Sequence, residues 1–171
     1  MPDLTKLFNK EHPFVSEPDE WILVGHGMSG DLKRRVPMEG RSNISHQDGR
    51  IVNEGIISFV SASDPVTFQS YYELTPTETP SVLVFFQKNE SVGDLKGEVV
   101  AFYDRLISVY QSGDGSLAGS EVFIKMSENL YTVTGNLTRE GKILNLWKLD
   151  MVRQTVETDV VEDEKENREG I

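Results

Sequence analysis

Glu98 to Gln111 reads EVVAFYDRLISVYQ, and Ser112-Gly113-Asp114-Gly115 follows it. The fold class turns on this stretch. At helical spacing Val99, Phe102, Tyr103, Leu106, Ile107 and Tyr110 share one face. At strand spacing Val100, Phe102, Leu106 and Tyr110 stand against Tyr103, Arg105, Ile107 and Val109. The Ser-Gly-Asp-Gly run signals a hairpin turn, and a hairpin needs a strand on each side. The neighbouring segments are β-rich too. Residues 98–111 are therefore expected to form one strand of an all-β chain.

Strand signals spread in both directions from there. Leu117 to Met126, Leu130 to Thr138 and Lys142 to Arg153 follow, separated by turns at Ser127-Glu128-Asn129 and Arg139-Glu140-Gly141. Upstream lie Ser81 to Gln87, Val66 to Leu74, Ile51 to Val60 and Trp21 to Ser29. Lys33 to His46 is weaker, with breaks expected at Pro37 and Gly40. Gln47-Asp48-Gly49-Arg50 is a hairpin turn of the kind that needs positive φ. At the N-terminus Leu4, Leu7 and Phe8 fit one face of a short helix over residues 3–11. Pro13 is expected to stop it. The tally is about nine strands joined by short turns, with no β-α-β alternation and no fixed-period repeat. An antiparallel up-and-down β-barrel of about 8–10 strands, with a short N-terminal helix, is the expected fold. Closure into a barrel removes the exposed edges of a long meander.

The chain has 171 residues, 17 basic against 28 acidic side chains and a net charge of −11. Such a charge repels phosphate backbones, so nucleic-acid partners are not expected. There is no Cys, which excludes disulfides, thiolate ligands and a Cys nucleophile. No apolar run approaches the ~18 residues of a membrane span, and Met1 to Lys10 has no apolar leader region. A cytoplasmic protein that does not insert in membranes is expected. Residues 157–171 carry seven acids and two bases. They read as an acidic, disordered tail on a single barrel domain over residues 1–156.

Trp21 near the start of the first strand and Arg153 near the end of the last resemble the calycin superfamily. That group comprises the up-and-down barrels of lipocalins and fatty-acid-binding proteins. In lipocalins a Trp opens the first strand, and an Arg or Lys from the last strand packs over it. Pro18-Asp19-Glu20 precedes Trp21 here, in place of the lipocalin Gly-x. The resemblance spans roughly residues 15–153. It implies a closed barrel with an interior pocket for one small molecule.

Chemical motifs narrow the function by elimination. His12, His26 and His46 are scattered, so no three-His metal site is expected, and no cofactor is indicated. Gly25-x-Gly27-x-x-Gly30 matches a dinucleotide-loop string, but Pro37 stops the helix that such a loop requires. No Gly-x-Ser-x-Gly elbow is present. Lys33-Arg34-Arg35 with Arg41 forms a basic cluster, read as a solvated edge. The ligand-binding candidates are Arg105, Tyr103, His46, His26, Tyr72, Phe68 and Trp147. An inward Arg105 among apolar neighbours would need an anion, and a ligand carboxylate would supply it.

The expected function is the binding of a small apolar or amphipathic molecule inside the barrel, and the sequence does not decide whether catalysis accompanies it. One rival is a barrel enzyme of the isomerase, lyase or decarboxylase type, with Glu54, His46 and Arg105 converging. Another is a filled barrel that serves as an interaction protein. Interior volume separates them, since ligand pockets begin near ~300 Å³. The oligomeric state is not readable from the sequence.

Overall fold

The computed structural model describes residues 11–29, 33–60, 66–88 and 93–154. One short helix, α1 (Pro13–Ser16), precedes ten strands. These are β1 (Asp19–Ser29), β2 (Arg35–Gln47), β3 (Arg50–Phe59), β4 (Val66–Pro76) and β5 (Val82–Lys88). The others are β6 (Leu95–Phe102), β7 (Arg105–Ser112), β8 (Leu117–Ser127), β9 (Leu130–Arg139) and β10 (Lys142–Arg153). Each strand pairs antiparallel with its chain neighbour, and β10 pairs with β1 to close the barrel. No described helix is long and apolar enough to cross a membrane.

The expected single strand over 98–111 is instead a hairpin. Phe102 pairs with Arg105 across a two-residue turn, Tyr103-Asp104, and Tyr103 takes a φ of 54°. That split raises the strand count from nine to ten. Left-handed φ at such turns is normally supplied by Gly, Asn or Asp. An aromatic residue in that role gives no signal in the sequence. Asp48-Gly49 behaves as its sequence says, with φ of 49° and 78°.

Strand β2 runs unbroken through Pro37 and Gly40. Pro37 is near the strand's start, exposed, and its carbonyl accepts the Val60 N–H at 2.9 Å. The helix expected over residues 3–11 lies outside the described residues, apart from Glu11, as does the 157–171 segment. Pro13, expected as a helix stop, opens α1 at its first turn. Its fixed φ suits that position, and its missing N–H costs nothing there.

Helix α1 plugs one end of the barrel. Phe14 and Val15 are buried, and the Phe14 ring meets Trp21, Phe123 and Tyr131 at centroid distances of 5.7, 5.4 and 5.9 Å. Buried His12 fastens the segment: Nε2–H donates to the Tyr103 carbonyl at 3.0 Å, and Nδ1 lies 3.3 Å from the Tyr131 hydroxyl. Burial lowers its pKa, since a charged ring would lose water there. Trp21 and Arg153 are register partners, with the guanidinium 6.0 Å from the indole centroid. Arg153 is held by Glu17 at 2.7 Å and by Asp19. The first strand, the last strand and the plug are thus tied together over one floor.

Candidate ligand site

Inward positions on the strands form two layers. Near α1 they pack solidly: Trp21, Ile51, Leu83 and Tyr131 are wholly buried. Toward the other end the walls stand apart around a cavity of about 280 Å³. Its aromatic walls come from Phe59, Phe68, Tyr72, Phe85, Tyr110 and Trp147, with Phe14 and Phe123 at its floor. Among its few polar side chains is one carboxyl, that of Glu121.

A single row of register explains how Glu121 is set. Gly27, Trp147, Gly135, Glu121 and Ser108 are successive cross-strand partners on β1, β10, β9, β8 and β7. The indole of Trp147 lies flat over Gly135. A Cβ at that glycine would stand 2.4 Å from Trp147 Cε2. Because Gly135 has no side chain, Trp147 reaches across it and donates Nε1–H to Glu121 Oε1 at 3.1 Å. One step over, Tyr110 rests on Gly119 in the same way. Glycine beside a large ring is thus a recurrent device of this wall.

The electrostatics follow from burial. Loss of water raises the Glu121 pKa to about 7, and the bond from Trp147 offsets only part of that. The hydroxyls of Tyr72 and Tyr110 are raised far above their ordinary range, by burial first and also by Glu121. An Asn53 bond favours ionised Tyr72 slightly, and Ser42 in turn donates to Asn53 Oδ1 at 2.9 Å. Arg41 also lines the cavity, but its guanidinium is exposed and faces Glu20 at 3.6 Å. Under the main cavity lies a second space of about 20 Å³, bordered by Glu121 and Ser108. The Ser108 hydroxyl is buried, with no hydrogen-bond partner among the described residues.

The sequence candidates divide sharply. Tyr72, Phe68 and Trp147 do line the cavity. Arg105 sits exposed at the β6–β7 turn, 3.5 Å from Asp104, so the inward guanidinium needed to hold a carboxylate is absent. The reason is strand phase: Leu106, Ser108 and Tyr110 of β7 face inward, which turns Arg105 outward with Val109. Tyr103 is 79% exposed at the same turn. His26 is exposed on the outer face of β1. His46 lies at the plugged end, with Nε2 3.3 Å from the Val15 carbonyl, and does not border the cavity. Glu54 is exposed too, so the expected Glu54–His46–Arg105 convergence does not form. Among the described residues no three His, Cys, Asp or Glu side chains come together as metal ligands.

Glu121 was not among the candidates. A signal for it exists: Leu117, Gly119, Glu121 and Phe123 share one strand phase, and Leu117 and Phe123 are buried. A carboxyl in the apolar phase of a strand marks a polar group facing the interior.

No family model matches the chain, and no curated protein matches it in sequence. Among solved structures, the S-type phycobiliprotein lyase CPES from Guillardia theta superposes with a TM-score of 0.63. It is 10% identical, over 82% of this chain and 90% of that one. What the two share is the fold. A candidate AttH from Nitrosomonas europaea, 9% identical, gives a TM-score of 0.31 over 83% of this chain and 52% of that one. The ten-stranded antiparallel barrel is the feature in which the chain is similar to the lyase.

Proposed function

We propose that the protein binds a small, largely apolar molecule in the open half of its barrel. The observation that carries this reading is the cavity of about 280 Å³, lined by eight aromatic residues among the described ones. Ligand pockets are typically concave, apolar and furnished with a few placed polar groups. Its volume falls near the lower end of the ~300–1,000 Å³ usual for such sites. The glycines beneath Trp147 and Tyr110 support the reading. They let large rings lie flat along the wall instead of filling the centre.

Native mass spectrometry of the protein purified from its own source tests this. The expected spectrum shows one retained small molecule per chain, lost on denaturation. Titration of the emptied protein with octanol should change the Trp147 fluorescence in a saturable way. A chain that carries nothing and does not respond to octanol would overturn the reading.

One observation favours a second reading. A carboxyl with a pKa of about 7, exposed to a ligand cavity, can take or give a proton near neutrality. Under that reading the barrel is an isomerase- or lyase-type enzyme with Glu121 as its acid–base group. Conversion of the retained molecule by the wild-type protein, abolished in Glu121→Gln, would select it over plain binding.

A further inference from the structure

We propose that the cavity is selective for a molecule whose apolar body ends in a protonated amine, seated on Glu121. This rests on the ligand-binding reading and adds the charge and chemistry of the occupant.

Three observations point this way. First, Glu121 is the one carboxyl among the described residues that line the cavity, and none of the ion pairs among the described residues includes it. The titratable groups around the cavity are Glu121 on β8, Tyr72 on β4, Tyr110 on β7 and Arg41 on β2. The tyrosines stay neutral across the working pH range, and Arg41 faces Glu20 outside the wall. Second, only Oε1 of Glu121 has a protein partner, the Trp147 indole. Indole donates one hydrogen bond and carries no charge, so it orients the carboxyl without neutralising it. Third, Ser108 stands directly opposite Glu121 across the β7–β8 ladder. Its hydroxyl is buried and unpartnered among the described residues, beside the small space that Glu121 also borders. An ammonium has three donors and no acceptor. Two acceptors, one of them anionic, therefore border the small space into which such a group would reach from the cavity. A ligand carboxylate would meet like charge there. An alcohol would give the carboxylate one hydrogen bond but no ion pair.

Binding of the amine favours ionised Glu121, whose carboxyl in the empty cavity titrates at about 7. The amine remains protonated throughout this range. Below pH 7 its binding must displace a proton from Glu121, so affinity falls as pH falls, by up to about tenfold per unit. Octanol binding does not require ionisation and should stay flat.

The experiment compares octylamine, octanol and octanoate by calorimetry at about 0.15 M salt. At that ionic strength, charges on the acidic outer surface are largely screened from the amine. At pH 8 octylamine should bind about ten- to a hundredfold more tightly than octanol, the range of a charge-assisted hydrogen bond. Octanoate should bind most weakly. Glu121→Gln should bring amine and alcohol within about threefold of each other, chiefly through loss of amine affinity. The pH profile of the unmodified protein is a second readout that needs no variant. If octanol binds but octylamine gains nothing at pH 8, or its affinity is flat from pH 8 to 5.5, the amine assignment fails and ligand binding stands. If none of the three binds, ligand binding itself fails and the assignment with it.

Discussion

Phe14 and Phe68 both lie in this barrel, at opposite ends. Phe14 touches three aromatic rings, is nearly sealed from solvent and roofs a floor of Trp21, Tyr131 and Phe123. Phe68 has one ring partner, Phe59 at 5.7 Å, and 44% of its surface is exposed at the cavity mouth. The same side chain is structural at one end and available at the other. The strands are continuous between the two layers, so backbone pairing does not distinguish them. What differs is filling. At the α1 end a short helix supplies Phe14 and Val15 from outside the sheet, while the other layer must fill itself, and glycines at 27, 119 and 135 keep its walls thin. One half thus holds the barrel closed, and the other is left to be occupied.

The largest effect should come from the packed half. Trp21 is fully buried, and Trp21→Ala should cost about 3–5 kcal/mol through lost burial and the cavity left behind. Urea denaturation measures it. A double-mutant cycle with Arg153→Ala sharpens the result. The guanidinium 6.0 Å above the indole should give a coupling of about 0.5–2 kcal/mol. A loss below about 1 kcal/mol for Trp21→Ala would erase the distinction between the halves.

Much of the packed half was legible in the sequence. Trp21 and Arg153 were paired by their places at the two ends of the chain's strands, and the register puts them side by side. Asp48-Gly49 announced its turn because the residues that tolerate positive φ are few. The hollow half was read only in part. Alternation tells which side chains of a strand point inward, but not how high along the barrel each one sits. Height depends on the register of every strand with its neighbours, a property of non-local pairs. Phe68, Tyr72 and Trp147 are inward and high; His46 sits at the plugged end. Arg105 is ambiguous in the sequence because both phases of its strand are largely apolar, and only the neighbouring strands decide that Leu106, Ser108 and Tyr110 face inward. Glu121 is hard to read because an acid within a strand's apolar phase looks the same in sequence whether that phase faces the interior or solvent.

The second prediction concerns the hollow half and changes sign relative to the first. Burial raises the Glu121 pKa from its ordinary value of 4.5 to about 7 in the folded chain. The folded state therefore holds a proton that the unfolded state has released between those two pH values. Stability from this group is complete below about pH 4.5, is lost as pH rises toward 7, and stays lost above it. Glu121→Gln removes the titration and keeps an oxygen for the Trp147 indole. The variant should be more stable than wild type at pH 8 by roughly 2–3 kcal/mol, and equal to it near pH 4.5. Urea midpoints at the two pH values provide the comparison. A destabilised variant at pH 8 would mean that the ionised carboxyl is held by contacts stronger than the indole bond. The open half would then be a finished structural network rather than a site with a group in reserve.

The smallest effect on stability should come from Phe68→Ala. Nearly half of this ring is already in water, so truncation removes little burial, and its edge-to-face contact with Phe59 contributes about 0.5–1.5 kcal/mol. No large cavity follows, because the ring borders open space on its inner side. The expected loss is about 1 kcal/mol, several-fold less than for the buried ring at the other end. Ligand affinity should respond differently. The ring covers part of the mouth, and an apolar occupant that loses such a wall is left partly hydrated. Octanol should therefore bind several-fold more weakly to Phe68→Ala than to wild type, at nearly unchanged stability. The two readouts must be taken on the same sample, urea midpoint and octanol titration together. A stability loss matching that of Trp21→Ala would mean that the mouth is packed like the floor. Unchanged octanol affinity would mean that the apolar tail lies deeper, against Phe85 and Tyr110, whose stacked rings are 5.2 Å apart.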